Sequence, residues 1–226
     1  NGVYAVAIRF LGILQTLALI FYQAWQETAI LQYHSADRDK FFSQVLNCYI
    51  FIICLLVVGF TFALKMCYSW LVSPNYQGSL SYIFPLAISS AIFSISAYFD
   101  MGYQCAKDTK RTLPAIMLSA GVNVVLNFLL IGKFGVYGVI ATLIISYSVL
   151  VIYRWIDSKR YFTISLHPGL LLSIGITLLM AVPFYCCTAI WQDALAMAGA
   201  LTLMVASCPS TIKQGAFAKF LAKFGR

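Results

Sequence analysis

Apolar residues in this chain come in long unbroken runs, separated by short clusters of charge, rather than in alternating or one-face stripes. A bilayer core of roughly 30 Å needs about 20 helical residues, and backbone polar groups within it must pair inside the segment. Seven runs meet or approach that length, at about 3–25, 41–64, 80–103, 113–131, 136–153, 169–190 and 194–208. The pattern predicts an all-α, polytopic membrane protein built as a bundle of about seven transmembrane helices. Pro85 and Pro183 fall inside the third and sixth runs and are predicted to kink them.

Composition removes the competing classes. The 226 residues are 62% apolar and 10% charged, with a mean hydropathy of +0.86, which leaves too little charge to coat a soluble globule. Aromatics at 15% speak against disorder. The chain opens on Asn1 inside an apolar run and shows no basic segment followed by a cleavage site, so a piece of a longer protein is expected.

The distribution of charge sets an orientation. Counting alternate connections, twelve basic residues fall on one side: Arg38, Lys40, Lys107, Lys110, Arg111, Arg154, Lys159, Arg160, Lys213, Lys219, Lys223 and Arg226. The other side offers Lys65 and Lys133. By the positive-inside rule the N-terminus is outside and the C-terminus cytoplasmic. The net charge of +8 is thereby explained by membrane boundaries, and a nucleic-acid partner is not expected. In the tail, 209–226, Phe217, Phe220, Leu221 and Phe224 share one helical face while Lys219, Lys223 and Arg226 lie off it. That predicts a short amphipathic helix on an anionic leaflet.

Seven cysteines (Cys48, Cys54, Cys67, Cys105, Cys186, Cys187 and Cys208) show no metal-ligand spacing, and His34 and His167 lie in predicted loops. No cofactor, metal or catalytic constellation is predicted, and an enzyme is not expected. Arg9 is the informative residue. It sits about two turns into the first run, where an arginine costs roughly 2.5–3.5 kcal/mol on insertion scales. Gly12, Thr16 and Gln23 follow it on the same helical face, with Gln15 beside them. Two readings stay open: the face lines a cavity where the guanidinium fork grips an anion, or Arg9 snorkels to the outer interface. Ser119, Asn123 and Asn127 form a second polar stripe, suited to helix packing or to substrate contact. Asp100, near the end of the third run, either couples an ion or pairs with Lys107 or Arg111.

Between Met101 and Tyr161 the chain presents a short basic loop, then Asn123 and Asn127, then Phe134-Gly135-Val136-Tyr137-Gly138. A small-residue-rich span with Ala141-Thr142 and Ser146 follows. Gly2-Val3-Tyr4-Ala5-Val6-Ala7 opens the first span, and Pro74-Asn75-Tyr76-Gln77-Gly78 precedes the third. Together, over about residues 1–165, these resemble the C-terminal half of the Wzx-like polysaccharide (O-antigen) flippases of the MOP superfamily; the last two spans agree only in hydropathy. The resemblance implies a fourteen-helix transporter of the bacterial inner membrane, of which this chain supplies one lobe and more, with the N-terminal half as its partner. It implies translocation of undecaprenyl diphosphate-linked oligosaccharide units for lipopolysaccharide or other surface polysaccharide. Ala7-Ile8-Arg9-Phe10 is similar to an Ala-x-Arg-Leu stretch of related lipid II flippases, so Arg9 would hold the diphosphate. Gly12, Gln15, Thr16, Asn123 and Asn127 would complete the substrate-binding set, with Asp100 as a candidate for ion coupling. The chain departs from the family where Gln23-Ala24-Trp25-Gln26 stands in place of the usual proline. The rival readings are a multidrug or small-molecule cation antiporter of the same superfamily, a membrane-embedded polysaccharide polymerase or acyltransferase, and a non-catalytic membrane subunit.

Overall fold

The computed structural model describes residues 2–207, and every regular element among them is helical. The order is α1 (Gly2–Gln32), α2 (Arg38–Leu71), α3 (Leu80–Cys105), α4 (Thr112–Phe134), α5 (Val136–Ser158), α6 (Pro168–Leu179), α7 (Ala181–Cys186) and α8 (Ile190–Ser207). Short 3₁₀ turns precede α3 (Pro74–Ser79) and α4 (Thr109–Arg111). With α6 and α7 joined as one span, seven helical segments are long and apolar enough to cross a bilayer, and the chain is a multi-pass membrane protein. The basic amphipathic tail expected over 209–226 lies outside the described residues.

Each predicted span coincides with a helix, but the helices overrun the apolar windows. At 1.5 Å per residue the 31 residues of α1 and 34 of α2 reach about 46 and 51 Å, well past the hydrocarbon core. Desolvation ends where polar side chains begin, whereas backbone hydrogen bonding continues through them. The sixth span shows the opposite departure. It divides at Met180 into α6 and α7 and ends at Cys186, four residues before the predicted limit. Pro183 has no N–H to offer the carbonyl of Leu179, so the ladder fails there. Pro85 removes the corresponding bond to Ser81, yet α3 runs through it. The Tyr185 hydroxyl, from α7, donates to that same Ser81 carbonyl at 2.8 Å.

Two glycines make the α4–α5 hairpin possible. Gly135 has φ +55°, a left-handed conformation that favours glycine, and its N–H caps the Ile131 carbonyl at 2.9 Å. One turn later, a Cβ on Gly138 would stand 2.5 Å from the Leu130 carbonyl oxygen, so only hydrogen lets α5 cross α4 this closely. The Phe134–Gly138 stretch is thus a turn and a crossing point in five residues.

Helix α3 forms the centre, packed against α1, α2 and α5; α4 packs outside α5, and α6 and α8 flank α2. Aromatic side chains fill the junction of α1, α2 and α3. Trp25 stacks on Tyr98 with ring centroids 4.7 Å apart and meets Phe42 edge-on, while Phe42 stacks on Phe162 at 4.5 Å. The outer surface is equally apolar, with Ile13, Leu17, Phe128, Leu129, Leu171 and Leu179 exposed, as a lipid-facing perimeter requires.

The connection from α5 to α6 is bound to α2 by a polar ladder. Asp39, Ser43 and Asn47 recur every four residues along α2 and hold the extended segment 163–167. Asn47 donates to Ser165 O at 3.1 Å and accepts the His167 N–H at 3.1 Å, Ser43 accepts the Ser165 N–H at 3.0 Å, and the Thr163 hydroxyl donates to Asp39.

Candidate functional site

The sequence-predicted binding residues do not converge. On α1 the buried positions are Ala7, Leu14, Ala18, Trp25 and Ala29, and these set the side of the helix turned to the bundle. Arg9, Thr16 and Gln23 are exposed on the opposite side, with Gly12 half-buried between them. Glu27, beyond the predicted span limit, continues the same face, five turns below Arg9. Gln15 is exposed but lies beside the stripe, not in it. The Thr16 hydroxyl bonds back to the Gly12 carbonyl at 2.8 Å. The Arg9 guanidinium is exposed and has no hydrogen bond or ion pair among the described residues.

Asn123 and Asn127 face elsewhere. Asn127 donates to Asn123 at 2.9 Å, Asn123 donates to the Ser146 hydroxyl at 3.1 Å, and the Ser119 hydroxyl donates to the Ser146 carbonyl at 2.8 Å. The stripe therefore joins α4 to α5, the packing role. The expected single set of Arg9, Gly12, Gln15, Thr16, Asn123 and Asn127 divides into an outward face on α1 and a helix-packing seam.

Asp100 is the hub of a polar network. Its expected partners were Lys107 or Arg111; instead Arg154 of α5, itself buried, pairs with it at 3.1 Å and donates to the Ser96 carbonyl at 3.0 Å. Thr112 donates to the same carboxylate at 3.1 Å and Gln104 does so at 3.1 Å. Gln104 also donates to the Tyr22 hydroxyl at 2.8 Å and accepts from Gln26 at 2.9 Å. Four helices, α1, α3, α4 and α5, are tied here at the end of the bundle that carries most of the basic residues. Arg111 pairs with Asp108 at 2.6 Å, and Tyr161 donates to Asp108 at 3.0 Å. Those loop contacts hold the Asp108 carboxyl below the usual carboxylate range, Arg111 first and Tyr161 next. Burial, with the bond to Asp108 behind it, pushes the Tyr161 hydroxyl up to about 12.

A second buried ion pair lies at the opposite end. Lys65, placed by sequence in an outer loop, sits inside α2, and Asp193 sits in the first turn of α8. Their Nζ–Oδ1 distance is 2.7 Å. The ammonium also donates to the carbonyls of Phe184 and Cys187, each at 2.8 Å, so all three of its hydrogens are used. With Lys65 and Arg154 withdrawn into the bundle, the charge asymmetry among the described residues stands at seven (Arg38, Lys40, Lys107, Lys110, Arg111, Lys159, Arg160) against Lys133 alone. The bias survives in the same direction. Comparison with known proteins returns no matching family model, curated protein or solved structure.

Proposed function

We propose that the chain is the C-terminal part of a flippase that moves lipid-linked oligosaccharide, of the undecaprenyl diphosphate class, across the bacterial inner membrane, with its basic end in the cytoplasm. The observation that carries this reading is the face of α1. An unpaired arginine, followed by Gly12, Thr16, Gln23 and Glu27, points away from the bundle within a predominantly apolar helix. Hydrocarbon is a poor neighbour for such a stripe. A water-lined chamber between this bundle and a second set of helices satisfies it, and a diphosphate suits the guanidinium fork.

The antiporter reading wants an uncommitted acid deep in the membrane, whereas Asp100 and Asp193 are both held by basic side chains and Glu27 lies past the apolar run of α1. The polymerase or acyltransferase reading wants a large outer loop with reactive groups, and the connections at the Lys65 end are short. Charge reversal, Arg9→Glu, in the full-length protein abolishes surface polysaccharide while the protein stays in the membrane. Undiminished polymer display at normal protein level refutes the reading of the α1 face.

A further inference from the structure

At the basic end of the bundle an open cleft of about 690 Å³ lies between the last turns of α1 and α3 and the start of α4, lined by Ile30, Asp100, Gln104, Lys107, Thr109 and Thr112. Its back wall is electrically balanced, because Arg154 neutralises Asp100. The Arg154, Thr112 and Gln104 donors leave one lone-pair direction open on the carboxylate, so the wall accepts one further hydrogen bond.

The front edge carries the net charge. Lys107 follows α3 at the position where helices usually place glycine, with φ +57°, and it is the one non-glycine residue in that conformation among the described residues. Around it the Lys107 N–H bonds Gln104 O at 3.1 Å and the Asp108 N–H bonds Tyr103 O at 2.9 Å, the pattern of a glycine-type helix stop. A lysine in this backbone is strained where glycine is not, and its ammonium has no ion pair or hydrogen bond among the described residues. Neighbouring acids are already committed: Asp108 to Arg111, Asp157 to Arg111 and Arg160. The cleft therefore offers one free cation, the Thr109 hydroxyl and an acceptor in a neutral wall, with the exposed apolar side chain of Ile30 at its side.

We infer that this cleft binds a phosphate ester carrying a free hydroxyl, of the phosphoglycerol type. Lys107 and Thr109 take the phosphate, and the hydroxyl donates to Asp100. A ligand ammonium gains little from a carboxylate that Arg154 already neutralises, so a neutral hydroxyl suits the wall better. The ligand's source is either a bilayer lipid, its chains lying against Ile30, or a soluble glycerol phosphate.

The test is native mass spectrometry of the chain in detergent micelles, titrated with phosphatidylglycerol, phosphatidylcholine or free glycerol 3-phosphate. Phosphatidylglycerol is retained at least tenfold more tightly than phosphatidylcholine. Lys107→Gly removes that preference while its unfolding temperature in phosphatidylcholine equals or exceeds the parent's, which separates lost binding from lost folding. Lys40→Ala at the same end and Lys133→Ala at the other leave the preference unchanged. Glycerol 3-phosphate binding as tightly as the lipid keeps the site and assigns a soluble ligand. Equal retention of the two lipids with no binding of glycerol 3-phosphate, or Lys40→Ala acting as strongly as Lys107→Gly, overturns the proposal.

Discussion

Lys65 and Asp193 offer the sharpest test of how charge is housed in this bundle. At 2.7 Å their attraction is about 6 kcal/mol for an effective dielectric of about 20, a gain that desolvation of two ions largely offsets. The pair should therefore contribute little in total, while either charge left alone is expensive. Lys65→Met strands the Asp193 carboxylate at 3% exposure and deprives the Phe184 and Cys187 carbonyls of their donor. The expected loss is about 3–5 kcal/mol. Asp193→Asn keeps an acceptor for the ammonium beside two carbonyls and should cost less, about 1–3 kcal/mol. The double variant removes both charges, and its loss should fall clearly below the sum of the two singles. Reversible unfolding in mixed micelles, followed by tryptophan fluorescence, closes the double-mutant cycle. If the two losses simply add, the ion pair is not a coupled unit and the reasoning fails.

The other predictions concern packing and loops. Gly138→Ala should lower stability by about 1–3 kcal/mol through its clash with the Leu130 carbonyl, whereas Gly121→Ala, with open space around it, should raise stability by about 0.5–1 kcal/mol; thermal scans in micelles compare them. Asn47→Ala frees the Ser165 carbonyl and the His167 N–H, costing about 2–3 kcal/mol and speeding amide exchange over residues 163–167 as read by mass spectrometry. For Asp108 the depressed carboxyl stabilises fully above its ordinary value of 3.8, and the contribution disappears as the pH falls through its lower folded value. For Tyr161 the raised hydroxyl stabilises fully below the ordinary 10.0 and the contribution is lost as the pH climbs through about 12. An ultraviolet titration of the parent against Tyr161→Phe should place the missing tyrosine at the alkaline end, and Asp108→Asn should bring it back toward 10.

The seven spans were legible because burial in hydrocarbon writes itself as uninterrupted apolar runs, and the α4–α5 connection was legible as the break between the runs ending at 131 and starting at 136. The long-range pairings were not. Lys65 and Arg154 read as loop charges, because counting charge by connection assumes that a basic residue near a span end is outside it. A usable signal existed: Lys65 lies within a continuous helical run, and an intramembrane lysine calls for an acid such as Asp193. Likewise Asp39, Ser43 and Asn47 share the four-residue spacing that drew notice to Ser119, Asn123 and Asn127, but they lay at the edge of a run read only for hydropathy. What spacing cannot supply is the side on which a stripe points. The α4 stripe turns inward to α5 and the α1 stripe turns outward, and that difference is decided by neighbours far away in sequence.

The hydroxyl of Tyr185 standing in for the amide that Pro85 lacks gives one helix custody of another's weak joint. Should α7 slide or tilt, Ser81 loses its substitute donor, and α3 becomes freer to bend within its first two turns. Helix α3 is also the strut from which Asp100 hangs, so a shift at the far rim would be felt at the basic mouth through a rod about 26 residues long, with no loop having to relay it.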